Sequence, residues 1–228
     1  MWVRFPPGTV ASEKTDFIGK NKPFNPDAQT RAILASAVRN VHPYVDAQYE
    51  ATFQVPFFEG THWALPGDKK VIEGMSSAFA DPNSYPIDKR AASYSIGYFS
   101  PKHLGSGQFY LMAIKDKSGR PLAGGKTYRL TVPPNPPVKL YWSATAYDRQ
   151  THALIRDTSR SSRGSNSAEI QKNPDGSADV YFSPTAPPGK EANWIPTGHD
   201  FEVLFRLYGP EQPLFDKTWV LPDVEEVK

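Results

Sequence analysis

The apolar positions of this chain follow two rhythms, one before and one after about residue 107. In the first stretch, Ile33, Leu34, Ala37, Val38 and Val41 recur at the i, i+1, i+4, i+5 and i+8 spacing of one helical face. Asn25-Pro26-Asp27 supplies a start signal: Asn25 to cap exposed backbone donors, Pro26 for the first turn, Asp27 for the positive end of the dipole. The spacing predicts a helix that packs its stripe into a core and ends at Pro43. From 45 to 67 the pattern breaks into proline-interrupted, aromatic-rich sequence with Tyr49, Phe53, Phe57, Phe58 and Trp63, too apolar for a disordered linker. A second helix is expected over 87–99, where Ala91, Tyr94, Ile96 and Tyr98 precede the stop at Ser100-Pro101.

Beyond residue 107 the runs become short, β-rich and separated by glycine and proline turns, the spacing of a sandwich or barrel. Strands are expected at 109–114, 128–132, 140–147, 180–182 and 201–208, with shorter ones near 153–155 and 168–170. Asp116-Lys117-Ser118-Gly119 and Asn173-Pro174-Asp175-Gly176 place glycine where a hairpin needs a positive φ. The serine-rich stretch 159–167, with Arg160 and Arg163, reads as a mobile polar loop. In 201–208, alternation sets Phe201, Val203, Phe205 and Leu207 on one face and Glu202, Leu204, Arg206 and Tyr208 on the other. Arg206 is then solvated or paired, with Asp223 or Glu225 of the tail as the expected carboxylate.

Composition narrows the classes. The 228 residues are 39% hydrophobic and 13% aromatic, enough to bury a core, and 23 prolines punctuate the segments. A formal charge of +2, from 26 basic and 24 acidic side chains, gives no field for nucleic acid or an acidic membrane. No apolar run approaches the roughly 18 residues of a membrane span, and the first residues lack the apolar stretch of a signal peptide, so a soluble chain of unknown compartment is expected. Without cysteine there is no disulfide, thiolate zinc site or thiol nucleophile.

Five blocks then occur in order: Gly-Gly-Lys-Thr-Tyr-Arg-Leu (124–130), Tyr-Trp-Ser-Ala-Thr-Ala-Tyr-Asp (141–148), Asn-Pro-Asp-Gly-Ser-Ala-Asp-Val-Tyr-Phe (173–182), Lys-Glu-Ala-Asn-Trp-Ile (190–195) and Arg-Leu-Tyr-Gly-Pro (206–210). Together with Phe215-Asp216-Lys217-Thr218-Trp219 and Asp223-Val224-Glu225, they resemble the domain of unknown function 1214 over roughly residues 107–226. The first half is similar to the segment that precedes this domain in longer proteins, which also carry domain of unknown function 1254 upstream. That partner is missing here, and the chain is expected to be part of a longer one. The resemblance implies a jelly-roll-like sandwich and brings no reaction. The expected fold is therefore α+β: a helical, aromatic-rich region over 1–106 and an all-β jelly-roll-like sandwich over 107–228.

No Gly-x-Ser-x-Gly elbow, His-Glu-x-x-His, Walker loop or Gly-x-Gly-x-x-Gly is present. The histidines, His42, His62, His103, His152 and His199, lack metal-ligand spacing, so no metal and no cofactor is expected. Tyr147-Asp148 and Asn193-Trp194 each set a hydrogen-bonding side chain beside an aromatic, a mixture suited to sugar-like ligands. The same residues, with Trp142, also serve a structural role if the rings fill the space between sheets and the polar groups satisfy loop backbone. Trp142, Tyr147, Asn193, Trp194 and Arg206 are the candidate ligand-binding residues. Asp148 and Glu191 are the candidate acid and base of a hydrolase, which needs two carboxylates about 5–9 Å apart. Three functions stay open: a ligand-binding or assembly module taking a small molecule or carbohydrate, another copy of itself or the missing upstream domain; a hydrolase of a glycan or small polar substrate; and a purely structural domain.

Overall fold

The computed structural model describes residues 25–67, 107–156 and 158–227, so the helix expected over 87–99 and His103 lie outside the described residues. Asp27, rather than Asn25, opens the first helix, α1 (Ala28–Thr52). Its Oδ1 accepts the Thr30 N–H at 2.7 Å, and these bonds hold the carboxyl below its ordinary pKa. The described residues divide after Tyr44 into two compact units. In the first, the expected core stripe is not buried: Ile33 and Val38 are 60% and 66% exposed, and Leu34 and Val41 are exposed as well. Helical spacing specifies a face; it does not supply a partner for that face.

The helix also runs past Pro43. Proline costs one backbone bond and a clash in a helix interior, and the following turns are held by packing. Tyr49, fully buried, joins Met112, Ile114 and Leu204 in a small apolar cluster of the second unit, with Phe53 beside it.

The second unit contains eight described strands: β1 (Gln108–Ala113), β2 (Tyr128–Val132), β3 (Val138–Asp148), β4 (Ser162–Gly164), β5 (Ala178–Ser183), β6 (Trp194–Pro196), β7 (Phe201–Pro210) and β8 (Glu225–Glu226). A short helix, α2 (Gln212–Phe215), follows β7. The strands form two open sheets, ordered β1-β7-β3-β4 and β6-β5-β2-β8. Pairing is antiparallel except between β5 and β6.

Period-two alternation sends Leu111, Trp142, Ala144, Val203, Phe205 and Leu207 of the first sheet into one apolar cluster with Leu130, Val132, Val180, Phe182 and Ile195 of the second. Phe58 and Trp63 complete it, and the Trp63 indole N–H donates to the Pro222 carbonyl at 2.9 Å. The chain is thus α+β, with a helix near the N-terminus and β-sheet in the C-terminal part. Gly119 and Gly176 adopt φ of 76° and 84°, as the two expected turns require.

Two short strands were misplaced. The expected strand at 168–170 is turn and coil, while 162–164, inside the stretch read as a polar loop, pairs with β3. Polarity misled there, because an edge strand needs backbone partners more than apolar side chains: Ser162 Oγ bonds the Ala144 carbonyl at 3.0 Å. Of the run at 153–155, Leu154 alone makes a β-bridge, with Tyr147.

Candidate ligand-binding face

Residues of β7 that alternate away from the large core come to the opposite face of the first sheet. Register aligns Tyr110 of β1 and Ser143 of β3 with Arg206, Thr145 with Leu204, Tyr141 with Tyr208, and Tyr147 with Glu202. Arg206 and Tyr147, two of the expected binding residues, therefore meet. Nη1 of Arg206 donates to Thr145 Oγ1 at 2.8 Å and Nη2 to the Tyr147 hydroxyl at 2.5 Å. The guanidinium lies 5.6 Å from the Tyr110 ring centre and 5.7 Å from that of Tyr147. Beside it Tyr141 and Tyr208 stack at 4.2 Å.

Neither expected carboxylate reaches Arg206. Asp223 accepts the His62 backbone N–H at 2.7 Å and lies 2.8 Å from its ring Nδ1, and Glu225 pairs with Arg129. Two phenols near Arg206, those of Tyr110 and Tyr141, have raised pKa values. Burial, then Tyr208, raises the pKa of Tyr110 against the pull of Arg206, and a hydrogen bond with Tyr208 raises that of Tyr141.

Further along the same face sits a buried polar cluster that the sequence reading missed. Glu202 is fully buried and accepts the Tyr49 hydroxyl; His152 Nδ1 lies 3.2 Å from its Oε1. The Tyr49 and His152 rings pack 4.1 Å apart, and Arg149 lies 4.8 Å from the Tyr49 ring centre while bonding Glu50 at 2.9 Å. Burial and Glu202 push the Tyr49 phenol far up.

Asp148 has a different job from that of an acid or base: its Oδ1 accepts the N–H groups of Gln150 and Thr151 at 3.0 and 2.7 Å, shaping the turn that delivers His152 to Glu202. His152 takes a φ of 53° to get there, a conformation that costs a non-glycine residue. Glu202 and Arg206 are the two charged residues of a mostly apolar strand, and that was the available signal for Glu202.

The other expected residues lie elsewhere. Trp142 is core, stacked on Phe205 at 5.5 Å. Asn193 is buried and spends its amide on the backbone, donating to the carbonyls of Gln171 and Asp179 and accepting the Gln171 N–H, each at 2.7 Å. Trp194 belongs to β6, in the second sheet, where its indole N–H donates to the Ser183 carbonyl at 2.9 Å. Glu191, exposed, accepts the Gly189 N–H at 3.1 Å, a contact within its own loop. Among the described residues no group of three or more His, Asp or Glu is placed to hold a metal, and no helix is long and apolar enough to cross a membrane.

The order of blocks along these strands has a counterpart. Residues 107–212 match the family described as protein of unknown function DUF1214. The DUF1214 match runs from the start of β1 to the start of α2 and so includes Arg206, Tyr147 and Glu202. No curated protein matches the chain. Among solved structures, the VPA0106 protein from Vibrio parahaemolyticus aligns with a TM-score of 0.51 at 19% identity, over 95% of this chain and 50% of that one. A putative uncharacterized protein from Burkholderia cenocepacia aligns with a TM-score of 0.39 at 19% identity, over 66% of this chain and 47% of that one. The chain therefore spans about half the length of each, and the likeness to the first is one of fold. Neither DUF1214 nor these neighbours bring an established reaction.

Proposed function

We propose that this chain is a ligand-binding module of a larger protein, built on a jelly-roll-like sandwich, and that the β1-β7-β3 face around Arg206 receives the ligand. One observation carries the reading: a half-buried guanidinium framed by the rings of Tyr110 and Tyr147 and bonded to hydroxyls of Thr145 and Tyr147. Aromatic walls around a few convergent polar groups are the usual make-up of small-ligand sites. The hydrolase reading draws no comparable support, since Asp148 and Glu191 each serve a local turn.

Thermal-shift screening against sugars, small acids, divalent metals and nucleotides tests the proposal, because a ligand that binds only the native state raises Tm. The expected result is a concentration-dependent rise with at least one class, lost in Arg206→Gln. A folded protein indifferent to every class overturns it in favour of assembly, which sedimentation of the intact chain then measures.

A further inference from the structure

Four arginines of the second unit meet carboxylates, and among the described residues Arg206 does not. Arg120 reaches Asp116 and Glu226 at 3.2 and 2.8 Å, Arg149 reaches Glu50 at 2.9 Å, Arg163 lies 3.8 Å from Glu169, and Arg129 pairs with Glu225. Arg160 donates to the Glu191 backbone carbonyl at 3.1 Å. Arg206 is as sheltered as several of these, yet among the described residues its bonded partners are side-chain hydroxyls. Glu202, two places earlier on the same face of β7, is taken by Tyr49 and His152.

A guanidinium partly withdrawn from water costs free energy that hydroxyls offset poorly, because neutral acceptors give about half the strength of a charged one. It also has more donors than these hydroxyls need: five N–H groups in a planar fork, shared among Thr145, Tyr147 and Tyr110. From this mismatch we infer that Arg206 is the anchor for a ligand carboxylate, with the tyrosines of the same face packing against the body of the ligand. The inference rests on the ligand-binding reading above and narrows it to one chemical class.

The surroundings favour a carboxylate over a phosphate. Among the described residues Arg206 is the cation bonded to these hydroxyls, so one negative charge is matched and a dianion is not. The planar fork fits two coplanar oxygens. The stacked Tyr141–Tyr208 pair offers an apolar flank for a flat or sugar-like body.

Matched probes on the intact chain test this: galacturonate against galactose, and benzoate against benzamide, followed by thermal shift and calorimetry at low salt. The expected result is that the acids raise Tm and their neutral partners do not, with binding weakened about tenfold or more in Arg206→Gln and less in Tyr147→Phe. Arg206→Lys guards against a folding artefact: it keeps the charge and loses the fork, so its affinity falls between the two. Neutral probes that protect as well as the acids, or acid binding undisturbed in folded Arg206→Gln, overturn the carboxylate assignment while leaving a ligand site in place. Phenyl phosphate binding as tightly as benzoate overturns it in favour of a general anion site. No shift with any acid also overturns it, and the broader ligand screen then decides the parent reading separately.

Discussion

At the scale of single residues, the fully buried carboxylate of Glu202 depends on its side-chain partners. Its oxygens are served by the Tyr49 hydroxyl and by His152, and Tyr49 also points its hydroxyl at Met112 Sδ, 3.2 Å away. Removing a donor from a buried charge costs more than the bond itself, because the acceptor stays behind without its partner. Tyr49→Phe is therefore expected to destabilise the protein by about 2–3 kcal/mol, read as a lower urea midpoint at unchanged m-value. A loss below about 0.5 kcal/mol would mean that water replaces the hydroxyl at no cost. Period-two reading placed Glu202 and Arg206 on one face of one strand, and that was legible. Their partners were not. Tyr49 lies 153 residues before Glu202, and the tail carboxylates assigned to Arg206 are claimed by His62 and Arg129. Side-chain pairing depends on which elements are neighbours, and strand periodicity carries no information about that.

At the scale of elements, two close approaches hold strands and loops together. Gly124 lies so near the segment before β7 that a Cβ there would sit 2.2 Å from backbone atoms of His199. Gly124→Ala must push that segment away, at an expected cost of about 2–3 kcal/mol, measurable by chemical denaturation; Gly125→Ala, which meets nothing within 4 Å, is the control. The second approach is the tail strand β8, which pairs with β2 and sets Glu225 against Arg129. The bond to Arg129 holds the Glu225 carboxyl below its ordinary value of 4.5. A depressed carboxylate stabilises the fold fully above its unfolded pKa and loses that contribution as pH falls through its folded pKa. Acidification from about pH 5 to pH 3 should thus cost wild type more than Glu225→Gln, a small difference because both partners are partly in water; parallel urea midpoints across that window would remove the pair from the balance. The long strands were readable because alternation and turn glycines agree along each of them. Residues 162–164 were not, since a three-residue edge strand made of Ser, Arg and Gly has the composition of a loop.

At the scale of the whole molecule, the family match begins at residue 107, yet part of the core comes from before it. Tyr49, Phe58 and Trp63 are buried among the strands, Ala64 forms a backbone bridge with Met112, and His62 ties down Asp223. The aromatic content of 45–67 announced that this stretch packs on something; that its partner is the sheets follows from the bridge and the indole bond to Pro222. Truncating a large core aromatic costs about 3–5 kcal/mol, a large share of the roughly 5–15 kcal/mol that keeps a domain folded. Trp63→Ala should accordingly lower Tm strongly without abolishing folding. A chain of residues 107–228 alone loses all three rings at once and is expected to bind a hydrophobic dye and unfold without a sharp transition, whereas a chain starting at Val45 should recover cooperative unfolding. Equal urea midpoints for the 107–228 chain and the full one would show that the aromatic stretch decorates the sheets and leaves the family-matched region stable by itself. Cooperative unfolding only from Val45 onward would set the folding unit ahead of the family boundary, with the turns of α1 that carry Tyr49 an integral part of the face that holds Glu202.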